Sequence, residues 1–229
     1  MFNKFISLLL GICLCAPMAQ GLADQASPTP QPTLTSVEFE TPAANAAQTA
    51  ALTIMRVAQM ERLLGTLALD AQSVGQGWSA QDDIADYWAP IYSYINAYEL
   101  NADNDWEHTE QGFVRVPADY VKQLFCDMYG VEFEELPPVS RNYSSLIVYD
   151  STSDMYDVTG SDVSADVRQA VLRSVEINDN GFATVSYDIV TGEGDDALTA
   201  AVATIYLETG APSTYGLKPI KVDMAGAVG

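Results

Sequence analysis

Nucleophilic catalysis needs a base beside the attacking group, and the usual base, histidine, occurs once in this chain, at His108. No G-x-S-x-G stretch presents a serine to it, and the surrounding WEHTE lacks the H-E-x-x-H spacing of a zinc protease. Zinc sites draw on several His and Cys ligands, and beyond His108 only Cys13, Cys15 and Cys126 are available. Gly75-x-Gly77 and Gly192-x-Gly194 lack the rest of a phosphate-binding fingerprint and read as turns. These patterns predict no catalytic residue and no cofactor.

Oxygen ligands are plentiful. Asn101, Asp103, Asp105 and Glu107 alternate in NADNDWE, like the first half of a calcium loop. Trp106 stands where that loop requires glycine, and Gly112 where it requires a bidentate glutamate, so an EF-hand is excluded. What remains is an irregular calcium candidate. A carboxylate pair acting as acid and base would need a separation of roughly 5 to 10 Å across a cleft, which spacing along the chain does not reveal.

Aromatic residues crowd one segment. All three tryptophans (Trp78, Trp88 and Trp106) lie there with Tyr87, Tyr92, Tyr94 and Tyr98. Trp88 and Tyr98 fall on the apolar stripe of a helix and read as core. Tyr92, Tyr94 and Trp106 are left as candidates to line a groove for a peptide, glycan or protein ligand.

The elements that position these residues begin with an export signal. Lys4 precedes an apolar run from Phe5 to Cys15, and small residues follow at Ala19, Gly21 and Ala23, as a signal peptidase requires. The run is shorter than the roughly 20 residues of a membrane span. Residues 1–23 are therefore expected to be a cleaved signal peptide, and the mature protein secreted, periplasmic or otherwise in the cell envelope of a bacterial-type cell. Ile12 and Leu14 precede the two leader cysteines where a lipoprotein signal carries small residues, so lipidation is not expected. Removal of the leader leaves Cys126 as the single thiol, and stability must come from packing rather than disulfides. Cys126 lacks a local histidine or cation and reads as a small apolar helix residue.

The chain of 229 residues carries 31 acidic and 10 basic residues, a net charge of -21. Such a surface repels phosphate backbones and anionic lipid, which excludes nucleic acid as a partner class. Residues 24–42, DQASPTPQPTLTSVEFETP, read as an extended Pro/Ser/Thr-rich tether, and 43–229 as one α+β domain. Ala43 to Leu69 predicts a long helix, with Ile54, Val57, Ala58, Glu61 and Leu64 marking one face and Met60, Leu63 and Leu67 widening it. Ser79 and Asp82 predict the cap of a second helix, kinked or broken at Pro90. Pro117 opens a third helix, and Gly130 closes it.

Strand patterns follow Pro138. A hairpin around Asp179 to Gly181 pairs Ile177 with Ala183, Val175 with Val185, Val171 with Ile189 and Arg173 with Tyr187. Ala197 to Leu207 suits a central strand or a helix, and Pro219 marks an edge strand. The expected architecture is about three N-terminal helices on an antiparallel meander of four to six strands. This order, with a short strand at Phe113 to Val116 between helices, resembles the cone-shaped NTF2-like layout in element order.

Three functions fit this reading. The first is a non-catalytic binding or accessory domain outside the cell. The second is a small envelope hydrolase working through carboxylates alone, and the third is a purely structural accessory domain. Two facing carboxylates in a deep pocket would favour the hydrolase, an aromatic-rimmed groove would favour binding, and a featureless surface the structural role.

Overall fold

The structure, a computed structural model, describes residues 42–79, 84–100, 102, 104–160, 168–178, 182–192, 197–210 and 212–226. The leader, nearly all of the tether, Asp82, Asn101, Asp103 and the turn at Asp179 to Gly181 lie outside the described residues. The class is α+β, with the helices first and a β-meander at the C-terminal end.

The long N-terminal helix is two helices, α1 (Pro42–Gln59) and α2 (Glu61–Val74), joined at Met60, whose φ of -88° and ψ of 1° are not helical. Its buried stripe differs from the expected one. Thr53, Val57, Met60, Leu64, Leu67 and Ala71 are buried at 4-3-4-3-4 spacing, while Ile54, Ala58 and Glu61 face water. Thr53 disguises the stripe because it is polar. Its hydroxyl bonds the Thr49 carbonyl at 3.0 Å, which satisfies it within the helix. Gly75, at φ 69°, ends α2.

Pro90 neither kinks nor breaks its helix. Helix α3 (Trp88–Tyr94) starts two residues before it, so the missing N–H is one that no helical carbonyl would have accepted. The Asp86 carboxylate accepts the Trp88 N–H at 3.0 Å and caps the start. The irregularity comes later, as a π-helical turn over Ile95–Glu99 closed by the Leu100 N–H on the Ile95 carbonyl at 3.0 Å. Helix α4 (Ala118–Tyr129) follows Pro117, buries Val121, Leu124, Phe125 and Met128, and ends at Gly130 with φ 68°.

Among the described residues, seven strands form two antiparallel sheets. Strands β1 (Val114–Pro117), β2 (Ile147–Asp150) and β3 (Met155–Val158) are ordered β1-β3-β2. Strands β4 (Arg168–Ile177), β5 (Ala183–Thr191), β6 (Leu198–Thr209) and β7 (Leu217–Gly226) form the meander in sequence order. Residues 198–207 are thus strand, and Pro219 sits on the edge strand β7, where a missing ladder donor is tolerated. The inner face of the meander, with Val185, Tyr187, Ile189, Ala203, Ile205, Leu207 and Val222 buried, packs under α2 and α4.

The β4–β5 register matches expectation for Ile177 with Ala183 and Val175 with Val185, and then shifts. A bulge at Arg173 places Leu172 opposite Tyr187, Val171 opposite Asp188 and Ala170 opposite Ile189. Val171 is therefore not on the core face and is 46% exposed. The bulge frees Arg173 to pair with Asp188 at 3.2 Å rather than stack on Tyr187.

Candidate functional site

Helix α3 and its π turn sort the aromatic candidates by side. Residues two apart on a helix point in nearly opposite directions, so Tyr92 and Tyr94 diverge. Tyr92 is 5% exposed, donates its hydroxyl to the Thr159 carbonyl at 3.0 Å and lies against Tyr143. Tyr94 is 9% exposed and lies against Tyr98. Trp106 is half-buried and meets Tyr120 edge to face at 5.0 Å. The three do not share one groove wall.

On the Tyr92 side, sequence reasoning passed over two carboxylates. Asp70 of α2 and Asp86 before α3 line one recess with Trp78, Ile84, Pro90 and Tyr129. Asp86 is held on both oxygens, by the Trp88 N–H and by the Ser140 hydroxyl at 2.7 Å. Asp70 has no hydrogen-bond partner among the described residues. Burial, and then the Asp86 charge, push its carboxyl up to about 7. The Tyr129 hydroxyl beside them donates to the Tyr87 carbonyl at 2.6 Å. An acid titrating near neutrality beside a fixed carboxylate is suited to proton transfer. The recess is small, however, with a volume of about 30 Å³, room for one water. No local pattern announces this pair, because the two residues meet only when α3 folds back on α2.

On the Tyr94 side, Tyr98, Tyr120 and Tyr215 gather around Glu99 of the π turn, with the Arg62 guanidinium 5.2 Å over the Tyr98 ring. Burial raises the Tyr120 hydroxyl, as does its hydrogen bond to Glu99. Burial also pushes Tyr94 up to about 12. Tyr94 and Tyr120 therefore stay protonated at ordinary pH, and Tyr120 donates its hydroxyl to Glu99.

Of the calcium candidates, Asp105 and Glu107 are exposed. Glu107 pairs with Arg115 at 3.6 Å, and Asn104 between the expected ligands donates to the Glu99 carbonyl at 3.0 Å. Arg115 also meets Asp157 at 3.3 Å, in charge contact without hydrogen-bond alignment. Among the described residues, no group of three or more His, Cys, Asp and Glu side chains is placed to hold a metal ion. His108 is exposed in a bridge to Val114.

A third feature lies on the outer side of α4. An open recess of about 540 Å³ is lined by Asp119, Lys122, Gln123, Cys126, Glu132, Phe133 and Glu134. Three carboxylates face one ammonium there, and half-buried Phe133 supplies an apolar wall. Cys126 is 8% exposed, and burial followed by the charges of Glu132 and Asp127 holds its thiol above the ordinary range. That leaves it protonated and a poor nucleophile. Asp127, one position on, faces inward. It accepts the Thr214 N–H at 2.7 Å and a Gln123 amide proton at 3.1 Å, tying α4 to the β6–β7 turn.

Among the described residues, no helix is long and apolar enough to cross a membrane. No protein-family model matches the chain, and neither a curated protein nor a solved structure matches it.

Proposed function

We propose that this is an exported, non-catalytic binding domain whose ligand is a cationic peptide or protein segment seated beside α4. The observation that carries the reading is the acidic, Phe133-walled recess of about 540 Å³, a size within the ordinary range for ligand sites. Its charge complements a lysine- or arginine-rich segment, and the net charge of -21 steers such a partner inward from a distance. Export rests on the leader, and mass measurement of the N-terminus of the processed chain checks it. A mature protein beginning after Gly21 or Ala23 is expected, and an intact leader would count against export.

Isothermal titration with an oligolysine peptide tests the ligand class. Saturable binding is expected, weakened about tenfold by Glu132→Lys with Glu134→Lys, because reversing two contacts of about 1 kcal/mol each changes affinity by at least that factor. The same charge change at Asp105 and Glu110, exposed residues outside the recess, serves as control. Equal weakening by both pairs would reduce the effect to net charge and defeat the proposal.

The second reading, a carboxylate-dependent hydrolase, is favoured by Asp70 and Asp86 alone. Their recess admits a water but not a sugar ring or a peptide, so the binding reading is preferred.

A further inference from the structure

The charges beside α4 call for a cation without saying which kind, and the ring among them makes the choice. The recess has two walls. One is the outer stripe of α4, where Asp119, Lys122, Gln123 and Cys126 recur at helical spacing. The other is Glu132-Phe133-Glu134, which follows Gly130, at φ 68°, where the chain leaves the helix. The Phe133 ring meets the rings of Tyr87, Phe125 and Tyr129 at 82°, 77° and 78°, with centroids 5.6, 5.3 and 6.3 Å away. Three near-perpendicular contacts hold its plane in one orientation. Phe133 is half-buried, and what it leaves uncovered opens into the recess between exposed Glu132 and Glu134.

An ammonium and a guanidinium carry the same unit charge, so exposed carboxylates separate the two weakly. An aromatic wall separates them well. The ammonium is compact and strongly hydrated, and it keeps its water. The guanidinium is planar and weakly hydrated, so it stacks on a ring while its edge donates to a carboxylate. We propose that the recess selects arginine over lysine, seating one guanidinium on Phe133 with Glu132 and Glu134 on either side. This selectivity rests on the cationic-ligand reading above and narrows the partner to an arginine-bearing segment.

Isothermal titration of the purified chain, in the form the cell produces, with capped oligoarginine and oligolysine peptides of equal length tests the selection. Both should bind, oligoarginine about fivefold tighter, the factor expected of one cation–π contact at a solvated site. Rising salt should weaken both and leave their ratio standing, because salt screens charge rather than stacking. The side-chain proton resonances of the seated arginine should move upfield, as the ring current over an aromatic face requires. Phe133→Leu should bring oligoarginine down to the affinity of oligolysine and leave oligolysine nearly unchanged. Should that variant lose its native circular dichroism spectrum, the wild-type ratio and the upfield shift decide alone. Equal affinities of the wild type, arginine resonances that stay in place, or a preference that survives in a folded Phe133 variant would overturn the selection and leave the cationic recess standing. Failure of both peptides to bind would defeat the selection and the cationic reading together.

Discussion

Asp70 binds a proton more tightly in the folded chain than in the unfolded one. Burial, and then the Asp86 charge, push its folded carboxyl up to about 7 from an ordinary value of 3.8. Between those values the folded state keeps a proton that the unfolded state has released, so stability is greatest below the lower value and falls as pH rises through the upper one. Asp70→Asn removes the titration. It should stabilise the protein at pH 8 by on the order of 2 kcal/mol and change little near pH 4, read by thermal melts across that range. Equal melting shifts at both ends would show that burial does not perturb Asp70. Tyr187 offers a second test. It is 1% exposed, and its hydroxyl is buried without a hydrogen-bond partner. Tyr187→Phe should raise stability by about 1 kcal/mol in urea unfolding, because it removes an unsatisfied polar atom and keeps the ring. Neither residue announces itself in the sequence: both effects depend on what distant elements place around the side chain. Tyr92 and Tyr94 make the same point. Aromatic density was legible, but the side of α3 that each occupies was not.

At the scale of elements, alternation carried the reading until the chain departed from ideal geometry. Ile177–Ala183 and Val175–Val185 follow from strict period two. The bulge at Arg173 does not, since the Asp188 carboxylate that rewards it lies 15 residues away. The shifted register is testable. Ala170→Glu should cost on the order of 2 kcal/mol, because Ala170 faces Gly65 of α2 so closely that a Cβ on Gly65 would already touch the Ala170 methyl at 3.7 Å. Val171→Gln, which adds polarity without setting a like charge opposite Asp188, should change stability by no more than about 0.5 kcal/mol. The opposite order in chemical denaturation would restore the unbulged register. Gly77 is a related case. It reads as a turn glycine, yet a Cβ there would collide with the Val222 carbonyl oxygen, where the neighbouring Trp78 pairs with β7. Gly77→Ala should therefore cost on the order of 3 kcal/mol by the same measurement, and a neutral effect would mean that this contact is looser than described. The break at Met60 and the π turn at Ile95–Glu99 had no Gly or Pro to mark them, whereas Pro90 marked a helix start that looked like a kink.

For the molecule as a whole, class and order were legible because helix-period and strand-period segments are segregated along the chain. The division of seven strands into two sheets was not, since β1 pairs with β3 across a separation of about 40 residues that includes α4. The proposed binding site lies on the outside of this fold. Its aromatics are largely committed to the core, its carboxylate pair encloses a water-sized space, and the recess beside α4 is open, acidic and walled by Phe133. The most direct measurement is amide chemical-shift mapping of the isotope-labelled protein during titration with oligolysine. Saturating shifts concentrated at residues 119–126 and 132–134 are the result this account predicts. Small shifts spread evenly over the acidic surface, or shifts centred on Asp70 and Asp86, would contradict it.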